Sequence, residues 1–386
     1  MLRSALRGLA RGTGKMLLSA QRRWRRHGHI AGIRNDLAAD HRRCCAGFSA
    51  PAPAIEGARR FLAEHFDGFN DLRHHEIYWR ITGSLDPAYI PADIYYRTIE
   101  PTLNKMLYVP TFTDKNAHYA SPLAAHLPEP VLHLVRGDLY LPGFVRIGDN
   151  ELDDALNDGG DELIVKPTVQ HGGGRDMQVM DRRATKDFIK QIMADRRSRS
   201  EADWIVQRRL DQCPELARFN PSSVNTYRLM MMTMEREVVC LSSVLRTGRS
   251  GMRIDNQAAG GLAGGIEGGR LRGRAIDREF RFYDKHPDSG VAFTGDLPAY
   301  QDAVELCREL QRTLPWFDLI SWDVAIDDRH QPKIIEFNVA AQEIDFHQMN
   351  NGPLFGPADG AVLAAVLRRL AVTPRDPDFA VAATRL

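Results

Sequence analysis

Three oxygen-bearing side chains near the C-terminus, Asp323, Glu336 and Asn338, are spaced for chemistry on a divalent cation. They fall on two stretches that read as strands, Ser321 to Ile326 and Lys333 to Asn338, joined by a polar loop from Asp327 to Pro332. Side chains alternate faces along a strand, so Trp322, Val324 and Ile326 share one apolar face with Ile335 and Phe337. The other face carries Asp323, Glu336 and Asn338. In a symmetric hairpin Asp323 stands opposite Glu336, with Cβ atoms roughly 5 Å apart. Two carboxylates that close repel each other unless a cation lies between them. Hard oxygen donors of this kind suit Mg²⁺, which usually takes one or two carboxylates plus nucleotide phosphates. Taken alone, the same residues also describe the solvated face of an ordinary hairpin.

A second group suits an anion. Lys166 follows the apolar stretch Leu163 to Val165, and Gly172, Gly173 and Gly174 follow before another strand at Met177 to Met180. Consecutive glycines let backbone N–H groups approach a ligand closely, and a lysine at a strand end supplies charge for phosphate. The chain contains no G-x-x-x-x-G-K-S/T string and no G-x-G-x-x-G fingerprint, so neither a P-loop nor a dinucleotide turn is expected. His171 in the glycine segment reads as incidental more readily than as a base. His74 and His75 precede Glu76 without the H-E-x-x-H spacing of a zinc peptidase.

The elements that must position these groups are those of a folded body. With 386 residues and 43% hydrophobic content the chain can bury a full core. Its net charge of +1 conceals an asymmetry: residues 1–43 carry +9 and the remainder −8. Residues 1–30 have the spacing of a basic amphipathic helix, which suits an anionic membrane surface, an acidic polymer or a solvated arm, and the composition also matches a mitochondrial transit peptide. No apolar run is long enough to span a membrane. Five scattered cysteines without a C-x-x-C pair argue against a disulfide framework and a zinc cluster, and fit a cytoplasmic setting. The segment Ser49 to Ala54 reads as a linker. Strands are expected at Trp204 to Val206, Arg228 to Met234 and Val238 to Leu245, and helices at 184–197, Ala299 to Leu314 and Gly360 to Val372. Gly260, Gly261, Gly264 and Gly265 are read either as a loop or as a substrate lid.

The order of these pieces resembles the ATP-grasp fold: strand, Lys166-Pro167, glycine flap, a buried strand ending in Val206-Gln207, then Asp323 and Glu336-x-Asn338 on adjacent strands. More closely, the chain resembles the branch related to alpha-L-glutamate ligases, the sugar-transfer-associated ATP-grasp proteins. That likeness extends through Ile90-Pro91, Ile99 to Asn104, Asp114-Lys115-Asn116, Pro221 to Arg228, Asp255-Asn256 with Gly260-Gly261, and on to Gln348. It covers roughly residues 70–355.

The resemblance implies an α+β fold whose two subdomains sandwich the nucleotide, behind a mixed N-terminal region. The expected divisions are a basic extension over 1–48, a pre-grasp region over 49–113, subdomains over 114–203 and 204–358, and a C-terminal helix and tail over 359–386. Lys115 and Lys166 match the lysines that hold ATP phosphates, and Gly172, Gly173 and Gly174 match the flap. Gln207, Arg208 and the backbone through Leu210 match the hinge that receives adenine, where such proteins often have Glu, so Gln207 is a departure. Asp211 and Glu215 are both candidates for the ribose hydroxyls. Asp323, Glu336 and Asn338 match metal ligands for Mg²⁺, with Mn²⁺ as the alternative ion. Asn225, Arg228, Arg246 and Asn256 match polar groups facing the phosphoryl acceptor.

The function so implied is an ATP- and Mg-dependent carboxylate–amine ligase working through an acyl phosphate, in polysaccharide or cell-surface glycan modification. The expected partners are small or glycan-linked carboxylates and amines, with no nucleic acid, and with peripheral contact at the inner membrane face through the basic arm. A kinase acting on a hydroxyl and a non-catalytic nucleotide-binding protein are the alternatives.

Overall fold

The computed structural model describes residues 32–66, 71–169, 177–194, 203–249, 251 and 260–372. The basic stretch 1–30, His171, the glycines 172–174 and Asn256 lie outside the described residues. The chain divides into two units, one of residues 103–356 and one formed by residues 1–102 with 357–386.

The latter unit is helical where described. Helices cover 32–44, Ala52–His65, Arg73–Thr82 and Ala361–Val372, and Ala92–Ile94 runs into a π-turn at Tyr95–Ile99. The expected linker is therefore already helical from Ala52. Pro51 and Pro53 are tolerated there because first-turn amides have no intrahelical acceptor. Gly83, at φ 73°, closes Arg73–Thr82 in the left-handed conformation that glycine adopts without a Cβ penalty. This helix buries Ile77, Tyr78 and Trp79, and Tyr78 stacks on Tyr89 with centroids 4.9 Å apart.

The unit 103–356 holds two antiparallel sheets. The first comprises β1 (Pro130–Val135), β2 (Asp138–Leu141), β3 (Val145–Ile147), β4 (Glu162–Pro167), β5 (Gln178–Asp181) and β6 (Trp204–Arg208), in the order β3-β2-β1-β6-β4-β5. The spacing of residues 130–147 does not announce strands, yet three form there. β6 lies between β1 and β4, so the strand beginning at Trp204 belongs with the first sheet and not with a subdomain starting at 204. Its apolar floor is Leu132, Leu134, Leu163, Val165 and Val206, covered by the helix Arg182–Ala194 through Ile189.

The second sheet comprises β7 (Thr226–Met234), β8 (Glu237–Thr247), β9 (Leu262–Glu267), β10 (Arg270–Ile276), β11 (Phe282–Tyr283), β12 (Thr294–Asp296), β13 (Leu319–Ile326) and β14 (Pro332–Asn338). Its order is β11-β10-β9-β8-β7-β13-β14, with β12 beside β10. Gly264 and Gly265 lie within β9, not in a loop or lid. A Cβ on Gly265 would come within 2.7 Å of Asn351 Oδ1, so glycine there admits the helix Asp345–Asn351 against the sheet. The helix Tyr300–Arg312 packs Ala303, Val304, Cys307 and Leu310 into the core of this sheet, the spacing expected of one helix face. Its Gln311 ties strands together: Trp322 Nε1 donates to Oε1 at 3.1 Å, and Nε2 donates to the Met231 and Asp318 carbonyls at 3.3 and 3.1 Å.

The β13–β14 hairpin pairs Asp323 with Glu336, as the alternation predicts. It is not symmetric. Val324 pairs with Ile334, leaving Ile335 as an extra residue on β14, which is a β-bulge. Ile334, and not Ile335, therefore joins Trp322, Val324, Ile326 and Phe337 in the core. β13 is buried on both faces, with Ser321 and Asp323 covered as fully as its apolar residues. The solvated-hairpin reading fails on this point, because β13 is interior, flanked by β7 and β14.

Candidate active site

Lys115 opens the short helix Lys115–His118, which is capped by the Asp114 carboxylate accepting the Asn116 N–H at 2.9 Å. The Lys115 N–H donates to the Thr168 carbonyl at 3.0 Å, two residues beyond Lys166, and this bond places both lysines at the same end of β4. Lys115 Nζ lies 3.3 Å from Glu336 Oε1 on β14. Burial, and then the charge of Lys115, bring the Lys166 ammonium down to about 8, while Glu336 pulls it upward. Two lysines sharing one carboxylate leave a surplus positive charge, which a polyphosphate would neutralise.

Across the second sheet, Asp323 is bracketed by arginines. Arg228, its pairing partner on β7, donates from Nε to Oδ1 and from a terminal nitrogen to Oδ2, both at 2.7 Å. Arg246, from β8, reaches Oδ2 at 3.2 Å. Burial alone would raise the Asp323 pKa, but Arg228 and Arg246 hold it below the usual carboxylate range. Arg228 also meets Glu343 at 3.2 Å. Glu343 carries no spacing signal in the sequence. It sits in a segment where Ala341 and Glu343 both adopt φ 56°, uncommon for residues with a Cβ.

The expected metal ligands are thus brought together on one face of β13 and β14. A carboxylate offers about four lone-pair positions. Three of those on Asp323 accept guanidinium N–H groups, leaving one on Oδ1. Glu336 is partly exposed, and Ser321, facing the same side and paired with Asn338, carries a buried hydroxyl without a hydrogen-bond partner. The donor set, all hard oxygen, fits Mg²⁺ held chiefly by Glu336 and Asn338, with Asp323 completing the set.

Gln207 on β6 is buried and its amide donates to the Tyr119 hydroxyl. His133 packs edge-on against Tyr119 at 5.2 Å and meets Asn116 Oδ1 through Nδ1 at 2.7 Å. Tyr119 and His133 were not legible as site residues, because the contact with Gln207 spans 88 positions of sequence. Arg208 is turned to Glu129 at 3.0 Å, and Leu210 is half-buried. The two ribose candidates differ in their contacts. Asp211 is exposed and uses its backbone carbonyl to hold the Asp328 N–H at 2.8 Å, whereas the Glu215 carboxylate is engaged by His330 at 3.1 Å.

Asn225 departs from its expected place facing an acceptor. It is fully buried, and its amide donates to the carbonyls of Leu216 and Asn220 at 2.9 and 3.0 Å, closing the loop before β7. His347 is an unexpected neighbour of the arginines. Burial and then Arg228 lower its pKa to about 3, so it is a neutral ring, held through Nδ1 to Ser242 Oγ at 2.9 Å.

Among solved structures, the chain is similar to D-cycloserine synthetase DcsG at 15% identity, over 69% of this chain and 73% of that one, with TM-score 0.40. It is similar to the ATP-grasp ligase PsnB in complex with a minimal precursor at 12% identity, over 69% and 64%, with TM-score 0.39. It is also similar to the biotin carboxylase domain of 2-oxoglutarate carboxylase from Hydrogenobacter thermophilus at 10% identity, over 70% and 47%, with TM-score 0.40. No curated protein matches the sequence. A model of the sugar-transfer associated ATP-grasp family matches residues 96–358, more than half of the 386 residues, and the chain belongs to that family.

Proposed function

We propose that the protein is an ATP- and Mg-dependent ligase that joins a carboxylate to an amine. The observation that carries this reading is the convergence of Lys115, Lys166 and Glu336 at one edge of a face whose floor is the Arg228–Asp323–Arg246 cluster. The lysines bind the ATP phosphates. Arg228 and Arg246, fixed in orientation by a buried carboxylate, hold the negative charge of the acceptor and of the phosphoryl group as it moves. Magnesium supplies charge neutralisation on the phosphoryl oxygens when bound. The acceptor carboxylate oxygen attacks the γ-phosphorus, the bond to the bridging oxygen breaks and ADP leaves. The amine nitrogen then attacks the acyl carbon, phosphate departs and the amine proton passes to solvent. No nucleophilic Ser or Cys is needed.

The substrates in this reading belong to polysaccharide or surface-glycan modification, in keeping with the family to which the chain belongs. A cytoplasmic protein with its basic residues 1–43 against an anionic membrane face would meet such substrates. Among the described residues no helix is long and apolar enough to cross a membrane.

The test is ADP release across a panel of carboxylates, amines and alcohols, with mass detection of product. ADP formation that requires a carboxylate and an amine together supports the ligase. ADP formed with an alcohol alone, accompanied by a phosphorylated product, replaces it with a kinase. Nucleotide binding without any ADP formation replaces it with a non-catalytic binder.

A further inference from the structure

Beside the ribose candidate Glu215, the segment after β6 and the β13–β14 turn bring together a thiol, a carboxylate and an imidazole. Ligand atoms of Cys213, Glu215 and His330 all lie within 4.8 Å of one another. His330 Nε2 is 3.1 and 3.2 Å from the two Glu215 oxygens. Cys213 is fully buried, while the Glu215 and His330 side chains are about half exposed, so sulfur forms the floor and the other two the rim.

The backbone beneath them is fixed. The Cys213 N–H donates to the Ile326 carbonyl at 3.0 Å, and the Asp328 N–H to the Asp211 carbonyl at 2.8 Å. Gln212 and Asp327 form an isolated bridge between the same two segments. Asp327 Oδ1 accepts the N–H groups of Arg329 and Gln331 at 3.0 and 2.7 Å, and His330 between them is turned over at φ 58°. That backbone conformation is uncommon for a residue with a Cβ, and here it delivers the ring to Glu215. A nucleophilic cysteine is a poorer reading, because burial raises the Cys213 pKa and a reactive thiol needs the opposite.

We propose that Cys213, Glu215 and His330 form a site for one borderline-soft divalent cation of the zinc class. Tetrahedral zinc with bonds of about 2.0–2.3 Å sets its ligand atoms roughly 3.3–3.8 Å apart, so only small movements separate the present arrangement from a bound one. The S–H bond breaks, its proton goes to solvent and a sulfur–metal bond forms. Thiolate and carboxylate then balance the two positive charges, the imidazole binds neutral, and a fourth position stays open to water. The ion cross-links the loop after the hinge strand to the turn of the hairpin that carries Asp323 and Glu336.

The probe is Co²⁺ titrated into the full-length, metal-stripped protein and followed by absorption, with Zn²⁺ as competitor. One equivalent should produce a thiolate-to-cobalt charge-transfer band and tetrahedral ligand-field bands, both displaced by Zn²⁺. Cys213→Ser should abolish the charge-transfer band. His330→Gln, at an exposed position that leaves folding intact, should weaken Co²⁺ binding about tenfold or more. Replacing Cys44 and Cys45 together by Ser should leave the spectrum unchanged. A band that survives Cys213→Ser, a band lost with Cys44 and Cys45, equal affinity in His330→Gln, or no band in the unmodified protein each overturns the site. None of these readouts depends on nucleotide or turnover, so the ligase reading can fail without touching the site.

Discussion

The ammonium of Lys115, whose backbone N–H is bonded to Thr168 just past the end of β4, rests 3.3 Å from the carboxylate of Glu336 on the last strand of the eight-stranded sheet. Each partner has a second claim on it in the proposed reaction, Lys115 from phosphate and Glu336 from the cation. The pair is thus exchanged on binding, and metal and nucleotide should assist one another. Glu336→Gln is expected to tighten metal-free ATP binding, by releasing Lys115, while reducing Mg-dependent turnover at least a hundredfold. Stability should change by less than about 1 kcal/mol, since the pair is partly exposed. Calorimetry with chelator and with Mg²⁺ reads both effects; weaker metal-free binding in the variant would contradict the exchange.

Asp323 should matter for folding as well as for turnover. Asp323→Ala removes the buried carboxylate that Arg228 and Arg246 share, leaving the half-exposed Glu343 beside Arg228, and breaking a buried pair of this kind costs about 3–5 kcal/mol. Adding Arg246→Met to that variant should restore part of the loss. Urea denaturation of the single and double variants decides this, and additivity of the two losses would show that the charges are not coupled.

Lys166 gives the nucleotide affinity a pH dependence. With its ammonium near 8 in the free protein, anion binding above that pH must take up a proton. The dissociation constant should therefore rise from about pH 8 upward, by as much as tenfold per unit, and flatten in Lys166→Ala. At pH 7 the same variant should lose about 2–4 kcal/mol of binding, in line with removing one partner of a buried charge pair. The sign for folding is opposite to that for binding. Between the folded value near 8 and the ordinary 10.5, the unfolded chain binds more protons, so this residue adds stability as pH rises. A pH-independent affinity would remove Lys166 from the phosphate site.

The bulge can be tested by its neighbours. Ile334→Ala should cost about 2–5 kcal/mol because Ile334 is fully buried in the main core, and Ile335→Ala less than half as much. Equal losses, measured by thermal or urea unfolding, would mean an unbulged register.

The hairpin was legible because period-two alternation flanking a polar turn has few alternative readings, and Asp323 opposite Glu336 follows from it. One inserted residue leaves no mark in composition, so Ile335 is indistinguishable from Ile334 in the sequence. The lysine at the end of β4 could be read from its place after an apolar run, whereas β1 to β3 lie among prolines and charges that mask their pattern. Arg228 and Arg246 could be singled out only through resemblance; their common attachment to Asp323 joins positions 95 and 77 apart. Asn225, too, is placed facing the acceptor only through that resemblance. Only its burial shows that it fastens a loop.

The extra residue at Ile335 also bears on how this hairpin could vary among related chains. On the proximal side of the bulge the strands keep Ser321, Asp323, Glu336 and Asn338 in step; on the distal side they keep Val324 with Ile334 and Ile326 with Pro332. The two halves hold their phase independently. The turn with His330 can then be lengthened, shortened or exchanged without shifting the acidic face by one position, provided the bulge remains. The hairpin behaves as two interchangeable cassettes, one for chemistry and one for whatever the turn contacts.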